Sequence, residues 1–171
     1  MRRFKNRILA KIFTRFPSLL EIAVKGKGTS IALPAQIPWT LFKKPLKDSV
    51  MAIVTTAGVH LKTQEPFDML DPDGDPTWRE LPSSTPKDQY MITHDYYDHA
   101  DADMDINIVF PVDRLNELKN EGIIGGLSPF NYGFMGHIKG RHIRTLMEKS
   151  AEEVSLRLKS HDVDVVILTP G

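Results

Sequence analysis

The sequence predicts an α/β domain of three layers, in which helices cover both faces of a mostly parallel sheet of the Rossmann-like or flavodoxin-like type. Residues 163–168 form a β-branched and aliphatic run, which is typical of a buried parallel strand. Residues 49–56 form a second such run, and a helical pattern over residues 141–160 leads directly into the last strand. Strand, helix and strand in this order are the crossover unit that a parallel sheet requires.

Composition excludes several classes of protein. The 171 residues contain 22 Lys and Arg and 22 Asp and Glu, so no net charge draws the chain toward nucleic acid. Because the chain contains no cysteine, it offers no disulfide, no thiolate nucleophile and no Cys-ligated metal. The apolar runs are far shorter than a membrane-spanning helix needs.

Residues 1–30 differ from the rest in charge, because eight Lys and Arg residues accompany only one acidic residue, Glu21. Apolar residues recur at every fourth position from Phe4 to Phe16, which predicts a basic amphipathic helix that Pro17 kinks or ends. Such a helix can lie on a membrane surface or dock a partner. Packing against its own domain is the favoured interpretation, and membrane binding is not expected.

Residues 31–48 contain three prolines, a spacing that disfavours regular structure and predicts an extended arm. The α/β domain then occupies residues 49–171, beginning with a strand over residues 49–56. A turn over residues 57–60 follows this strand and places His60 at the carboxyl edge of the sheet, where open α/β sheets bind ligands.

An acidic loop is predicted over residues 65–86, and a second strand over residues 89–93. Asp71, Asp73 and Asp75 are similar to the start of a calcium-binding loop. Prolines interrupt the pattern and no glutamate stands at the required twelfth position, so a turn-rich surface loop is the favoured interpretation.

The densest polar stretch covers residues 94–107. Seven aspartates, and no Lys or Arg, occur from Asp88 to Asp113. His94, His99 and one or two aspartates could bind a metal ion. Alternatively, these residues line a polar pocket, cap the next helix and bond to the loop backbone. The second interpretation is preferred and no metal is predicted, because the spacing matches no recognised metal motif.

A helix is predicted over residues 111–121, with Pro111 as its first residue and Gly122 as its end. Residues 134–140 place glycines ahead of the next helix, where backbone amides can hold an anion. Their spacing matches neither a Walker loop nor a dinucleotide fingerprint, so this signal is weak.

Five separated segments of the sequence carry a family resemblance. They are residues 55–62 (Thr-Thr-Ala-Gly-Val-His-Leu-Lys), 94–107, 110–115 (Phe-Pro-Val-Asp-Arg-Leu), 134–136 (Phe-Met-Gly) and 165–171. In this order they resemble the selenoprotein B family of glycine, sarcosine, betaine and D-proline reductases. The resemblance extends from about Pro38 to Gly171 and leaves the basic N-terminal helix outside it.

The resemblance also implies where the reactive residue would stand. In the family, a strand that ends in Thr-x-Gly is followed at once by selenocysteine and then by a helix. We therefore expect the chain to stop immediately before the selenocysteine position, at a UGA codon read as a terminator, so that the sheet is incomplete at its carboxyl end. A selenolate at a helix N-terminus is stabilised by unpaired amides and the helix dipole.

As a function, the resemblance implies a cytoplasmic subunit of an anaerobic reductase that reductively cleaves a C–N bond of an amino acid or amine. The expected partners are a subunit whose pyruvoyl group activates the amine, a small selenoprotein or thioredoxin-like electron donor, and further copies of the chain. The chain by itself contains no cofactor or catalytic residue and is expected to be inactive. A non-catalytic small-molecule-binding module and an assembly subunit remain as alternatives.

Two groups of site residues follow from these interpretations. Substrate contacts are predicted for His60, His94, Asp95 and His137. His60 is the first choice for a carboxylate contact or proton donor, with a capped loop histidine as the alternative. Structural or pocket-lining roles are predicted for Gly58, His99, Asp105, Asn107, Arg114, Gly136, Thr169 and Gly171.

Overall fold

The structure is a computed structural model that describes residues 2–24 and 40–171. Part of the predicted N-terminal segment (25–30) and most of the predicted arm (31–39) lie outside the described residues. The helices are α1 (Arg2–Arg15), α2 (Pro17–Val24), α3 (Ala100–Met104), α4 (Val112–Asn120), α5 (His142–Thr145) and α6 (Ala151–Ser160). The strands are β1 (Val50–Thr55), β2 (Val59–Leu61), β3 (Trp78–Pro82), β4 (Tyr90–Ile92), β5 (Gly126–Leu127), β6 (Phe130–Phe134) and β7 (Val165–Thr169).

The main sheet is built around β1. Met51 pairs with both Leu127 of β5 and Val165 of β7, and Thr55 pairs with both β6 and β7, so β5 and β6 share one edge of β1 and β7 takes the other. These pairings are parallel, and β3 adds an antiparallel strand beyond β6. The predicted α/β class with a mostly parallel sheet is confirmed.

Helices and loops cover the two faces of β1. On one face Met51 and Ile53 pack with Phe110 and with Val112 and Leu115 of α4. On the other face the aromatic residues of β6 pack under α6. Because both faces of β1 are covered, consecutive residues from Met51 to Ile53 are buried, and each large apolar side chain contributes roughly 1.5–3 kcal/mol through burial.

An asparagine side chain supplies a hydrogen-bond acceptor to β1 where no strand pairs with it on that edge. Between β5 and β6 the chain leaves β1, and the N–H of Ile53 donates to Oδ1 of buried Asn131 at 2.8 Å. Nδ2 of Asn131 donates to Ser83 Oγ at 2.8 Å. The amide therefore joins β1 to the end of β3.

Replacing Asn131 with alanine is expected to lower the free energy of unfolding by about 2 kcal/mol, because it leaves the Ile53 N–H buried without an acceptor. Urea denaturation measures the loss. Ser83→Ala is the matched control, because it removes the Ser83 Oγ bonds to Asn131 Nδ2 and to the Ser128 carbonyl but leaves the Ile53 N–H its acceptor. It is expected to cost about 1 kcal/mol, since Nδ2 keeps the Leu81 carbonyl as an acceptor at 3.4 Å. Equal losses in the two variants would contradict this role for the Oδ1 atom.

The structure corrects the prediction for the last strand. β7 is parallel to β1, as predicted, but it is not buried: Val166 is 37% exposed and Leu168 is 75% exposed. Among the described residues, β7 pairs with β1 alone, and α6 lies over β6 and β1 rather than over β7. The aliphatic run therefore forms an edge strand of this sheet.

Two further predictions need correction. The turn after β1 ends at Gly58, so His60 belongs to β2, which pairs antiparallel with β4 in a separate small sheet. The predicted loop over residues 65–86 contains β3, which its polar sequence concealed. Its terminal proline is tolerated because β3 is an edge strand of the main sheet.

The helices begin and end close to the predicted residues, with small shifts. Pro17 ends α1 and begins α2, whereas Pro111 precedes α4 instead of opening it. Gly122, with φ +71°, follows the end of α4. The predicted helix over residues 141–160 is continuous, but a π-helical turn (Leu146–Ser150) separates α5 from α6. Within residues 2–24 and 40–171, no helix has the length and apolar character to cross a bilayer.

Candidate functional site

The carboxyl ends of β1 and β7 lie together at one edge of the sheet and share a hydrogen-bond acceptor. The hydroxyls of Thr55 and Thr169 both donate to the Val109 carbonyl, at 3.0 and 2.6 Å. A Cβ on Gly171 would lie 2.6 Å from the Ala57 Cα and 3.0 Å from a Tyr97 ring carbon. Only glycine therefore fits where the chain leaves β7.

Two adjacent tyrosines connect this edge to the predicted histidines. Tyr97 donates its hydroxyl to the Ala57 carbonyl at 3.0 Å, and its ring centre lies 4.8 Å from His94 and 5.6 Å from His99. Tyr96 stacks on His137 with ring centres 3.6 Å apart. Three predicted histidines thus gather around Tyr96 and Tyr97, beside the ends of β1 and β7.

His94 is a neutral imidazole at this site. Its Nδ1 accepts a hydrogen bond from the Tyr96 N–H at 3.1 Å, so Nε2 carries the proton of the neutral ring. Burial, assisted by the nearby His137 and His99, lowers the pKa of His94 to about 4. No described residue accepts a hydrogen bond from Nε2, which leaves this N–H as a donor for a ligand.

Asp95 binds the basic N-terminal helix. Its side chain is 2% exposed, and Arg3 Nε donates to it at 2.6 Å, while Arg7 Nε lies 3.7 Å away. This hydrogen bond raises the pKa of Arg3. Arg2 also donates to the Met69 carbonyl, so α1 packs against the α/β domain through its arginines.

His60 is enclosed rather than open to the edge. It is fully buried; its Nδ1 donates to the Leu61 carbonyl and its Nε2 accepts from Thr93 Oγ1, both at 2.8 Å. Burial lowers the pKa of His60, which favours this neutral form. A substrate contact would require one of these hydrogen bonds to break.

The remaining polar residues of the predicted site lie around α3 and α4. His99 pairs with an aspartate of α3 at 2.7 Å. Asp105 accepts hydrogen bonds from the backbone and side chain of Asn107, which lowers the pKa of Asp105 and closes a local turn. Arg114 forms an exposed ion pair with Glu117 at 2.7 Å, away from the gathered histidines.

The acidic loop contacts the predicted anion-binding segment. Asp71 accepts hydrogen bonds from the side chains of Arg141 and His142 at the start of α5, and the Lys139 N–H donates to the Asp73 carbonyl at 2.9 Å. The hydrogen bond from the Asp73 N–H is the larger cause, and that from the His142 side chain the smaller, of the lowering of the Asp71 pKa to about 2. The acidic loop therefore packs against this segment, and the Lys139 N–H is already bonded to a backbone carbonyl.

Backbone contacts fix the other end of this segment. A Cβ on Gly136 would lie 2.9 Å from the Thr56 carbonyl oxygen, so the chain after β6 passes close to the end of β1. His137 Nε2 faces the Pro72 carbonyl at 3.4 Å. Across the described ranges, no three His, Asp or Glu side chains are arranged as metal ligands.

Sequence reasoning missed Tyr96, Tyr97, Arg3 and Arg7. The tyrosine doublet stands between His94 and His99, and amphipathic rings in a polar run are a usable signal for a pocket wall. The arginines carry no such signal, because they lie about 90 residues from Asp95 in sequence.

Comparison with known proteins identifies relatives of this chain. The model of the glycine/sarcosine/betaine reductase selenoprotein B family matches residues 29–171. The chain is 39% identical over 150 residues to D-proline reductase subunit gamma of Acetoanaerobium sticklandii, a match that covers 86% of the chain and 60% of that protein. It is 28% identical over 172 residues to glycine reductase complex component B subunit gamma of Carboxydothermus hydrogenoformans, covering 91% of the chain and 36% of that protein.

A betaine reductase complex component B subunit beta, from Peptoclostridium acidaminophilum, is 27% identical over 139 residues, covering 74% of the chain and 29% of that protein. The chain thus spans 60% or less of the length of these relatives. No solved structure matches it. The family match begins after α2 and includes every strand and the gathered histidines. The predicted resemblance is therefore confirmed, and the chain belongs to the glycine/sarcosine/betaine reductase selenoprotein B family.

Proposed function

We propose that this chain is part of a subunit of a glycine-, sarcosine-, betaine- or D-proline-reductase complex that cleaves a C–N bond reductively. The family match supports this class of reaction. The 39% identity to the D-proline reductase subunit, against 28% and 27% for the glycine and betaine components, favours a D-proline-like amine.

The observation that carries the proposal is the edge where β7 ends beside β1. Gly171 packs on Ala57 and Tyr97, and the neutral His94 lies against the same Tyr97 ring. We expect the family's selenocysteine directly after this strand, where it would supply the nucleophile. The close packing at Gly171 supports a fixed position for this residue at the edge, with a hydrogen-bond donor nearby.

The chemistry needs groups that this chain does not itself provide. Two electrons and two protons convert the C–N bond into one C–H and one N–H bond, so a reductant is required. We expect a pyruvoyl-bearing partner to activate the amine, and a small selenoprotein or thioredoxin-like protein to donate the electrons. Self-association and a cytoplasmic location complete the proposal.

The residues of this chain are expected to bind and orient the substrate. His94 offers its Nε2–H to the substrate or to a departing nitrogen. Tyr97 remains protonated, because burial raises its pKa, and its hydroxyl holds the turn after β1. Buried Asp95 bonds Arg3 and so serves to position α1.

The gene and the complex test this proposal together. Reading the DNA beyond the Gly171 codon is expected to show UGA followed by a continuing reading frame; UAA or UAG would exclude selenocysteine at that position. The full gene product, purified without oxygen with its pyruvoyl partner and supplied with a dithiol, is expected to open the ring of D-proline. His94→Gln should lower turnover, and wild-type turnover would remove His94 from the proposed site.

A further inference from the structure

A cleft of about 400 Å³ lies between α1 and the segment that follows β4. This volume is within the usual range for sites that bind small molecules. Phe4 and Ile8 of α1 form one apolar wall, and Tyr97 and Ala100 form part of the opposite wall. The cleft adjoins the edge described above, and Tyr97 and His99 belong to both.

The α1 wall of the cleft provides positive charge through Arg7 and Lys11. Arg7 also pairs with Asp95, but at 3.7 Å against 2.6 Å for Arg3, so the Arg7 guanidinium keeps N–H donors for a ligand. The side chain of Arg7 is also 61% exposed. Lys11 takes no part in the ion pairs of Asp95.

The opposite wall provides negative charge through Asp98 and Asp103. The Asp98 carboxylate accepts one long hydrogen bond, from the Ala100 N–H at 3.4 Å, and so retains capacity for another donor. Asp103 is bonded to His99 through one oxygen and is 51% exposed. Cations and apolar side chains therefore line the α1 wall of the cleft, and carboxylates line the opposite wall.

We propose that this cleft binds a small zwitterionic amine, with its carboxylate toward Arg7 and Lys11 and its ammonium toward Asp98 and Asp103. Charge-assisted hydrogen bonds at both ends, with the carbon skeleton on Phe4 and Ile8, match an amino acid or betaine better than a plain anion. The choice of ligand rests on the proposed function. The α1 wall lies outside residues 29–171, which match the family model, whereas the opposite wall lies inside them.

Isothermal titration of the 171-residue chain with D-proline, glycine, sarcosine and betaine tests the inference. Arg7→Ala/Lys11→Ala is expected to weaken D-proline binding by about tenfold or more, as loss of charge-assisted hydrogen bonds does. Lys11→Ala alone, which leaves the Asp95 ion pairs intact, should weaken it in the same direction. Lys5→Ala is the matched control, because Lys5 is on the same helix but does not line this cleft.

Pyrrolidine, which lacks the carboxylate, is expected to bind the wild-type chain more weakly and to be insensitive to both cleft substitutions. Unchanged D-proline affinity in Arg7→Ala/Lys11→Ala, or no binding of any zwitterion to the wild-type chain, would overturn the inference. Neither result bears on the proposed reductase activity, which is tested by turnover in the complex. Conversely, binding through Arg7 and Lys11 without turnover by the complex would keep the cleft and reject the reductase.

Discussion

Replacing Gly58 with alanine is expected to lower the free energy of unfolding by about 3 kcal/mol or more. Gly58 has φ +75°, a left-handed conformation that costs other residues roughly 1–2 kcal/mol. An added Cβ would also lie 2.5 Å from the Thr93 carbonyl oxygen and 3.2 Å from the His94 Cβ. The backbone must move to relieve this overlap, which typically costs about 1–3 kcal/mol more.

Gly122→Ala is the matched control for Gly58→Ala. Gly122 has φ +71°, yet nothing lies within 4 Å of its added Cβ, so this variant should show the conformational cost alone, about 1 kcal/mol. Urea denaturation of both variants separates the two contributions. Equal losses would mean that the close approach of β1 to the His94 segment contributes nothing, and that the turn does not position the site.

The elements with strong local patterns were the ones that sequence predicted well. β1 is apolar throughout because both of its faces are buried, and the helix before β7 shows a clear periodicity. The exposure of β7 could not be predicted in this way. An aliphatic run indicates that the segment forms a strand, but it does not indicate whether that strand lies at the centre or at the edge of the sheet. β3 was missed for the converse reason: at an edge, polar residues and a proline are tolerated.

The candidate site was predicted in part for a related reason. The density of polar residues marked the segment from His94 to His99, and parallel strands bring their carboxyl ends to one edge, which located Gly171. The enclosure of His60 depends on Thr93 from another strand, and the partner of Asp95 comes from α1. Contacts between residues so far apart in the sequence produce no periodic pattern in it.

His94 is expected to make the protein lose stability as the pH falls from about 6.5 to 4. In the unfolded chain the histidine pKa is about 6.5, whereas burial holds it at about 4 in the folded protein. Between these values the unfolded chain takes up a proton that the folded protein excludes, so the stabilisation present above pH 6.5 is lost progressively toward pH 4. The difference corresponds to at most about 3 kcal/mol. His60 and His137, whose pKa values are also lowered by burial, act in the same direction.

Comparing wild type with His94→Gln isolates the part due to His94, because glutamine does not titrate and its carbonyl can accept the Tyr96 N–H that Nδ1 accepts now. Urea denaturation at pH 7, 6 and 5 gives the unfolding free energy of each protein. The wild-type curve is expected to fall more steeply with decreasing pH, so that the two stabilities converge toward pH 5. Parallel curves would show that His94 is solvated enough to protonate in the folded protein, and a neutral hydrogen-bond donor could not then be assigned to it at this edge of the sheet.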